Sequence, residues 1–226
     1  MFAIFEKYPD IVALISKKKD KAMKFSDENK ERFLKKLGID NKSTIGAGLV
    51  HGDNIEIVSN REAGGKMEKT DGLITAEKGL FLTLTIADCL PIFLYDPEKE
   101  IIGLVHGGWR SLAKNILAKA IEKMPSFPKD ILVGIGPGIS QCHFEVKEDL
   151  LVEFRAYLKD ALLRQDRKFF LDLKKIAKIQ LINSGAREEN IEISPECTFC
   201  LADKYFSYRR EKPESFQTML AVIGRK

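Results

Sequence analysis

The stretch Thr85–Gly107 reads TIADCLPIFLYDPEKEIIGLVHG. Two apolar runs, PIFLYD (91–96) and IIGLVHG (101–107), flank a short polar segment, PEKE. This is the pattern of a β-hairpin. If Tyr95 faces Ile101 across the turn, give or take one residue, Cys89 falls opposite residue 107 and beside His106. Pro91 cannot donate a ladder hydrogen bond, so regular pairing is expected to fail around Cys89. Such a break is common beside functional sites. The hairpin therefore delivers a thiol and an imidazole to one open end. Taken alone, Cys89 has three roles open to it: a small buried hydrophobe, a nucleophile or a metal ligand.

Upstream, DGLITAEKGLFLTLTIADC (71–89) predicts a turn and then a β-branched strand. STIGAGLVHGDNIEIV (43–58) predicts a strand pair around a glycine-rich bend, and DIVALIS (10–16) a strand. SDENKERFLKKLGI (26–39) predicts a helix capped by Ser26, with Phe33, Leu34 and Leu37 at helical spacing and Gly38 as its stop. Downstream, WRSLAKNILAKAIEKM (109–124) is an amphipathic helix with Leu112, Ile116, Ala120 and Ile121 on one side. ILVGIGPGI (131–139) is a buried strand running into a Gly/Pro loop. KEDLLVEFRAYLKDALL (147–163) and DLKKIAKIQLINSG (172–185) are helices, the second opened by Asp172 and closed by Gly185. NIEIS and TMLAVIG are short strands. There is no repeat and no Gly/Ser linker, so a single domain over residues 1–226 is expected. The interleaving of strands and helices gives it a mixed α/β (α+β) layered fold.

Composition narrows the function classes. The chain has 226 residues, 44% of them hydrophobic and 31% charged, with a formal net charge of +4. That describes a globular protein with a real core and gives no sign of a nucleic-acid or membrane partner. The opening MFAIFEKYPD lacks a basic segment followed by a long apolar one, and no apolar run approaches the roughly 20 residues that span a bilayer. A cytoplasmic location is expected. Four cysteines in a chain of this size do not make a disulfide framework, so they read as ligands, nucleophiles or core fillers.

Only three histidines exist: His51, His106 and His143. His51 (LVHGD) and His106 (LVHGG) both end apolar strand-like runs. With Cys89 they make a zinc site whose fourth position is open. The spacing is wide, and the alternative is a core cysteine with two strand-ending histidines. In HGGWRSLAKN a helix start with Arg110 beside it suits an anion, against the plainer reading of a tight glycine turn. GIGPGIS (134–140) fails the dinucleotide pattern at Ile139 and reads as a lining loop or a turn. HFE (143–145) with PECTFC (195–200) loosely matches a zinc-deaminase signature. Glu196 interrupts it, and about fifty residues separate its halves. Cys197 and Cys200 stay open as a zinc clip, a redox pair or core residues, with core preferred. YFSYRR (205–210) is too short for a nucleic-acid argument and reads as an ordered loop with an arginine facing the site.

LVHGD, DGLITAEKGLFLTLTIADCLPIFLYD, GLVHGGWRS, GIGPGISQCHFEV, CTFC and YFSYRR occur in the order of a known family. The chain resembles the laccase-like "polyphenol oxidase" family, also called the peptidoglycan editing factor family and viewed as purine nucleoside phosphorylases. The resemblance covers roughly residues 26–226 and is dense from 48 to 146. It implies a layered sandwich of mixed β-sheets flanked by helices, related to a bacterial toxin with a Cys–His pair. It implies one Zn²⁺ held by His51, Cys89 and His106. It also implies phosphorolysis of adenosine, inosine, guanosine or methylthioadenosine, with adenosine deamination as a further activity. Purine nucleoside and phosphate would be the partners. Within that reading Asp88 orients a ligand or handles a proton, Arg110 and the helix start receive phosphate, Phe144 stacks on the purine, and Asn29 matches the asparagine of the family's "NR" helix.

The sequence departs from the family pattern in places. Leu49 stands where the family has glutamine, HGGWRS replaces HAGWRG, and SKKKD (16–20) replaces a Gly-rich segment that helps line the pocket in relatives. Three histidines fall far short of the set a multicopper oxidase needs, and no methionine flanks the trio in sequence as a blue-copper axial ligand would. Two rival functions remain. One is a metal-free thiol hydrolase, Cys89 with His106 as base, acting on an amide or cell-wall peptide. The other is a non-catalytic, zinc-stabilised protein of envelope maintenance.

Overall fold

The computed structural model describes residues 2–23, 27–211 and 216–226. The hairpin forms as strands Leu90–Asp96 and Ile101–Gly107, every residue of both buried. Its register lies one residue from the central expectation and within its margin: Tyr95 faces Ile102 and Pro91 faces His106. The ladder continues through Pro91 and ends at the pair Leu90–Gly107. The break therefore falls at Cys89 itself. The Pro91 carbonyl accepts from the Gly136 amide, just beyond strand Leu132–Ile135.

The hairpin is the middle of a six-stranded mixed sheet, in the order Ile191–Ile193, Leu132–Ile135, Leu90–Asp96, Ile101–Gly107, Gly72–Thr75, Ile55–Ile57. Strand periodicity puts alternate residues on opposite faces. Ile92, Leu94, Val105, Val133 and Ile135 pack into a core shared with helices Trp109–Ala113, Ile116–Lys123 and Leu173–Asn183. Phe93, Tyr95, Ile102 and Leu104 face the other way, against Ile45, Leu82, Leu84, Ala221 and Ile223 of a five-stranded sheet. That sheet runs Ile11–Ile15, Met219–Arg225, Phe81–Ile86, Thr44–Gly48, Lys66–Glu68. Its outer face, through Val12, Leu220 and Val222, takes Phe33 and Leu34 of helix Asp27–Lys36. The result is helix, sheet, sheet, helices: the mixed, layered α/β fold expected, in which two-sided burial explains the near-continuous apolar runs. No helix among the described residues is long and apolar enough to cross a membrane.

Four local expectations are corrected. The two strands of 43–58 do not pair with each other: Thr44–Gly48 belongs to one sheet and Ile55–Ile57 to the other, so the LVHGD segment crosses between sheets. Residues 71–89, expected as a turn and one strand, hold two strands, Gly72–Thr75 and Phe81–Ile86, that belong to different sheets. The helix of 109–124 is broken at Asn115, which takes φ 57°, a conformation asparagine tolerates better than most side chains. The helix of 147–163 is interrupted by a 3₁₀ segment, Val152–Tyr157, with Phe154 out of helical geometry. It is followed by a hairpin, Leu162–Gln165 with Lys168–Leu171, turned at Asp166 and Arg167 with φ 49° and 62°. Asp-Arg is not a pair that announces such a turn. The helix over 172–185 matches, with Asp172 accepting from the Lys175 amide and Gly185 closing it at φ 93°. Ser26, the expected cap of the first helix, lies outside the described residues.

Candidate metal centre

Two chain crossings and a strand end meet at the open end of the hairpin. Cys89 sits in the step between strands Phe81–Ile86 and Leu90–Asp96, His106 is the penultimate residue of its strand, and His51 lies in the segment that passes between sheets. Their ligating atoms all lie within 4.8 Å of one another. The His51 and His106 rings stand 4.9 Å apart between centroids. His106 is buried, Cys89 half-buried and His51 exposed, so the trio has an inner wall and an outer opening.

Asp71 organises this arrangement. The carboxylate is fully buried. Its Oδ1 lies 2.9 Å from His106 Nδ1, and its Oδ2 accepts from the amides of Val50 at 3.1 Å and Gly52 at 2.7 Å. Its own carbonyl accepts from the His106 amide at 2.8 Å. One residue thus fixes the His106 ring and grips the chain on both sides of His51, which is held at φ 55°. Burial opposes ionisation of Asp71, yet His106 and the two amides hold its carboxyl below the usual range. In the sequence, Asp71 reads only as the start of a turn. The signal was an aspartate immediately before an apolar strand, but the register that pairs Gly72 with Val105 was needed to see it beside His106.

The residues fit a zinc ion. With Nδ1 of His106 committed to Asp71, Nε2 is the nitrogen left to coordinate, and a carboxylate behind a ligating imidazole is the usual support for such a ligand. Burial pushes the Cys89 thiol up, but the imidazoles of His106 and His51 outweigh it and bring the thiol down to about 6. Burial likewise disfavours charge on His106, while Cys89 and Asp71 raise it to about 9. The site therefore favours the thiolate, the form that binds a metal. Two nitrogens and one sulfur with an open fourth direction match the donor set of catalytic zinc. Gly108 keeps the space between the donors clear: a Cβ there would stand 2.9 Å from His51 Nδ1, 3.1 Å from His106 Cε1 and 3.3 Å from Cys89 Sγ. Gly108→Ala is expected to fold, with a melting temperature close to wild type, and to lose most of its zinc affinity in competition with a chromophoric chelator. Unchanged zinc affinity would rule out a metal held between these three donors.

The trio opens into a cavity of about 400 Å³, a size typical of small-molecule sites. Arg110 lines it, with its guanidinium 4.2 Å from the Trp109 ring centroid. Phe144 lines it too, buried, with Arg209 5.4 Å from its ring centroid. Arg209 also faces the cavity, as the YFSYRR reading anticipated for one of its arginines; the other, Arg210, ties the carbonyls of Thr198, Phe199 and Tyr205. Tyr208 and Phe216 meet edge to face on the rim. Ile139 of the GIGPGIS loop also lines the cavity.

Three expectations change. The Asp88 carboxylate borders the cavity but is engaged by Thr198 Oγ1 at 2.6 Å, Ser207 Oγ at 2.9 Å and the Arg209 amide at 2.7 Å. It positions the loop that carries Arg209 and has no direct hold on a ligand of the trio. The helix at Trp109 spans only five residues, Trp109–Ala113, which weakens the case for its start as an anion site. Asn29 lies on helix Asp27–Lys36, donates to the Ala22 carbonyl at 2.9 Å, and is not among the residues lining the cavity.

The family described as multi-copper polyphenol oxidoreductase laccase matches residues 12–226. The chain belongs to this family. Within this laccase-like group it is 32% identical over 214 residues to "Purine nucleoside phosphorylase YlmD" of Bacillus subtilis, covering 88% of this chain and 77% of that one. It is 34% identical over 201 residues to "Purine nucleoside phosphorylase" of Deinococcus radiodurans, covering 87% and 76%. Its fold superposes on the crystal structure of YlmD from Geobacillus stearothermophilus with a TM-score of 0.91 at 27% identity, covering 98% of this chain and 94% of that one. The donors present do not match the copper of the family's description: the chain has three histidines, and no methionine among the described residues lines the cavity to serve as an axial ligand.

Proposed function

We propose that the protein is a zinc-dependent purine nucleoside phosphorylase, with adenosine deamination as a further activity of the same site. The observation that carries the reading is the His51–Cys89–His106 trio opening into a cavity that presents aromatic walls and two arginines. The names of the relatives point the same way.

Phosphorolysis breaks the bond between the sugar C1′ and the purine nitrogen and joins C1′ to phosphate. Arg110 and Arg209, which line the cavity, would hold the phosphate; Arg110 packs on Trp109, and Arg209 has its main-chain amide bound to Asp88 and its guanidinium bound to the Glu145 carbonyl. Phe144 and Tyr208 supply the apolar and aromatic wall against which the purine rests. Asp71 keeps the His106 ring oriented. Zinc, when bound by His51, Cys89 and His106, would supply Lewis acidity toward an oxygen of phosphate or, in deamination, of water. Four unpaired cysteines suit a reducing compartment.

A second reading is favoured by one feature, the low thiol of Cys89 beside His106: a metal-free thiol hydrolase. One experiment separates the two. Purified protein is given inosine, adenosine, guanosine or methylthioadenosine, with and without phosphate, before and after chelation. Phosphate-dependent release of free base that chelation abolishes and zinc restores is expected. Activity indifferent to chelation but rapidly lost to iodoacetamide would overturn the zinc reading in favour of the thiol.

A further inference from the structure

A second cluster of ligating side chains lies outside the trio. Cys142 and His143 sit in the turn that follows the GIGPGIS loop; Cys197 and Cys200 sit in the loop after strand Ile191–Ile193. Their four ligating atoms lie within 4.8 Å of one another, and all three thiols are free. Cys142 Sγ is 3.9 Å from Cys197 Sγ and 3.7 Å from Cys200 Sγ. Zinc–sulfur bonds of about 2.3 Å in a tetrahedron set sulfur–sulfur separations near ~3.8 Å. His143 Nδ1 lies 3.2 Å from both Cys142 Sγ and Cys200 Sγ, a few tenths inside the ~3.5 Å edge that the same geometry gives for nitrogen and sulfur. The ring is fixed by stacking on Phe199, 4.0 Å between centroids and 19° between planes. The Ser140 amide donates to Cys197 Sγ at 3.3 Å, as backbone amides do for a sulfur that carries negative charge.

We propose that Cys142, His143, Cys197 and Cys200 bind a second zinc ion as a closed, structural site. Three sulfurs and one imidazole complete a tetrahedron with no position left for substrate, in contrast to the open trio. The role follows from what the two segments carry. Gly138 bridges Cys197, and the Thr198 amide donates to the Gly138 carbonyl at 3.1 Å, so the ion would fasten a junction already in register. From that junction Thr198 reaches Asp88, Arg210 grips the Thr198 and Phe199 carbonyls, and Phe144 enters the cavity. The clip would hold one wall of the cavity against the hairpin end without touching the substrate. Lys174, buried, already joins Ser140 Oγ to the carbonyls of Ser194 and Glu196, so the loops remain tied when the metal is absent. The variants below are therefore expected to fold.

The test counts metal by inductively coupled plasma mass spectrometry on zinc-saturated, desalted protein. Two zinc ions per chain are expected for wild type, one for Cys200→Ser, one for Cys89→Ala and none for the double variant. The two single losses are independent, so a failure of the trio and a failure of the clip read differently. Wild-type protein gives a second measure. In the zinc-loaded form Cys142 and Cys200 resist iodoacetamide, and chelation makes both react, as located by peptide mass mapping. The proposal is overturned if Cys200→Ser keeps the wild-type zinc count. It is also overturned if Cys142 and Cys200 label at the same rate before and after chelation, or if they are recovered as a disulfide.

Discussion

Cys89→Ala is expected to lose one zinc ion per chain and at least a hundredfold in phosphorolysis. The thiolate is the only anionic donor of the trio, and two neutral imidazoles, one of them exposed, hold zinc poorly without it. Loss of the Lewis acid removes several kcal/mol of transition-state stabilisation; about 3 kcal/mol already corresponds to roughly a hundredfold. The substitution removes one half-buried sulfur at a strand end, so the fold is expected to survive, and circular dichroism melts check that it does. Serine at the same position is the sharper control, because it keeps size and polarity and loses the soft donor. A Cys89→Ala protein with wild-type zinc content and wild-type turnover would sink the assignment of the site.

Asp71→Asn is expected to weaken zinc binding by 10–100-fold, the usual cost of losing the group behind a ligating histidine. The amide is isosteric but cannot satisfy all three donors. Either its NH₂ group faces His106 Nδ1 or it faces the amides of Val50 and Gly52. In the first case the ring is free to turn; in the second the segment carrying His51 loses its clamp. Removing one partner of a buried pair costs roughly 3–5 kcal/mol when nothing replaces it, and the retained hydrogen bonds should keep the loss below that. Isothermal zinc competition and the turnover with saturating zinc separate the two effects. Excess zinc should restore part of the activity, which a merely unfolded protein would not show. Zinc affinity equal to wild type would show that Asp71 does not support the centre.

Much of this was legible in the chain. Apolar alternation around PEKE set the hairpin to within one residue and so put Cys89 beside His106. Both strands read clearly because they are buried on two faces. The layered class followed from the order of strands and helices. What stayed hidden depends on contacts between distant segments. Nothing local shows that Asp71 meets His106, since the pairing of Gly72 with Val105 exists only after the sheet forms. Asp88 sits next to Cys89 in sequence, which suggested a ligand's partner, yet its three hydrogen bonds reach Thr198, Ser207 and Arg209, over a hundred residues away. The core reading holds for Cys197, which is buried in the main core, and fails for Cys200, which is exposed. Only the approach of the 142–143 turn brings further ligating atoms to the pair.

The clamp on His51 has a consequence for how the chain tolerates change. Asp71 reaches that segment through two main-chain amides and no side chain. Any residue except proline presents the same N–H at position 50, and the Val50 side chain points into solvent at 53% exposure. The position of the outer histidine is thus encoded largely at residue 71, remote in sequence. The surface beside it is left free to drift, and with it the face the protein shows to whatever enters the cavity.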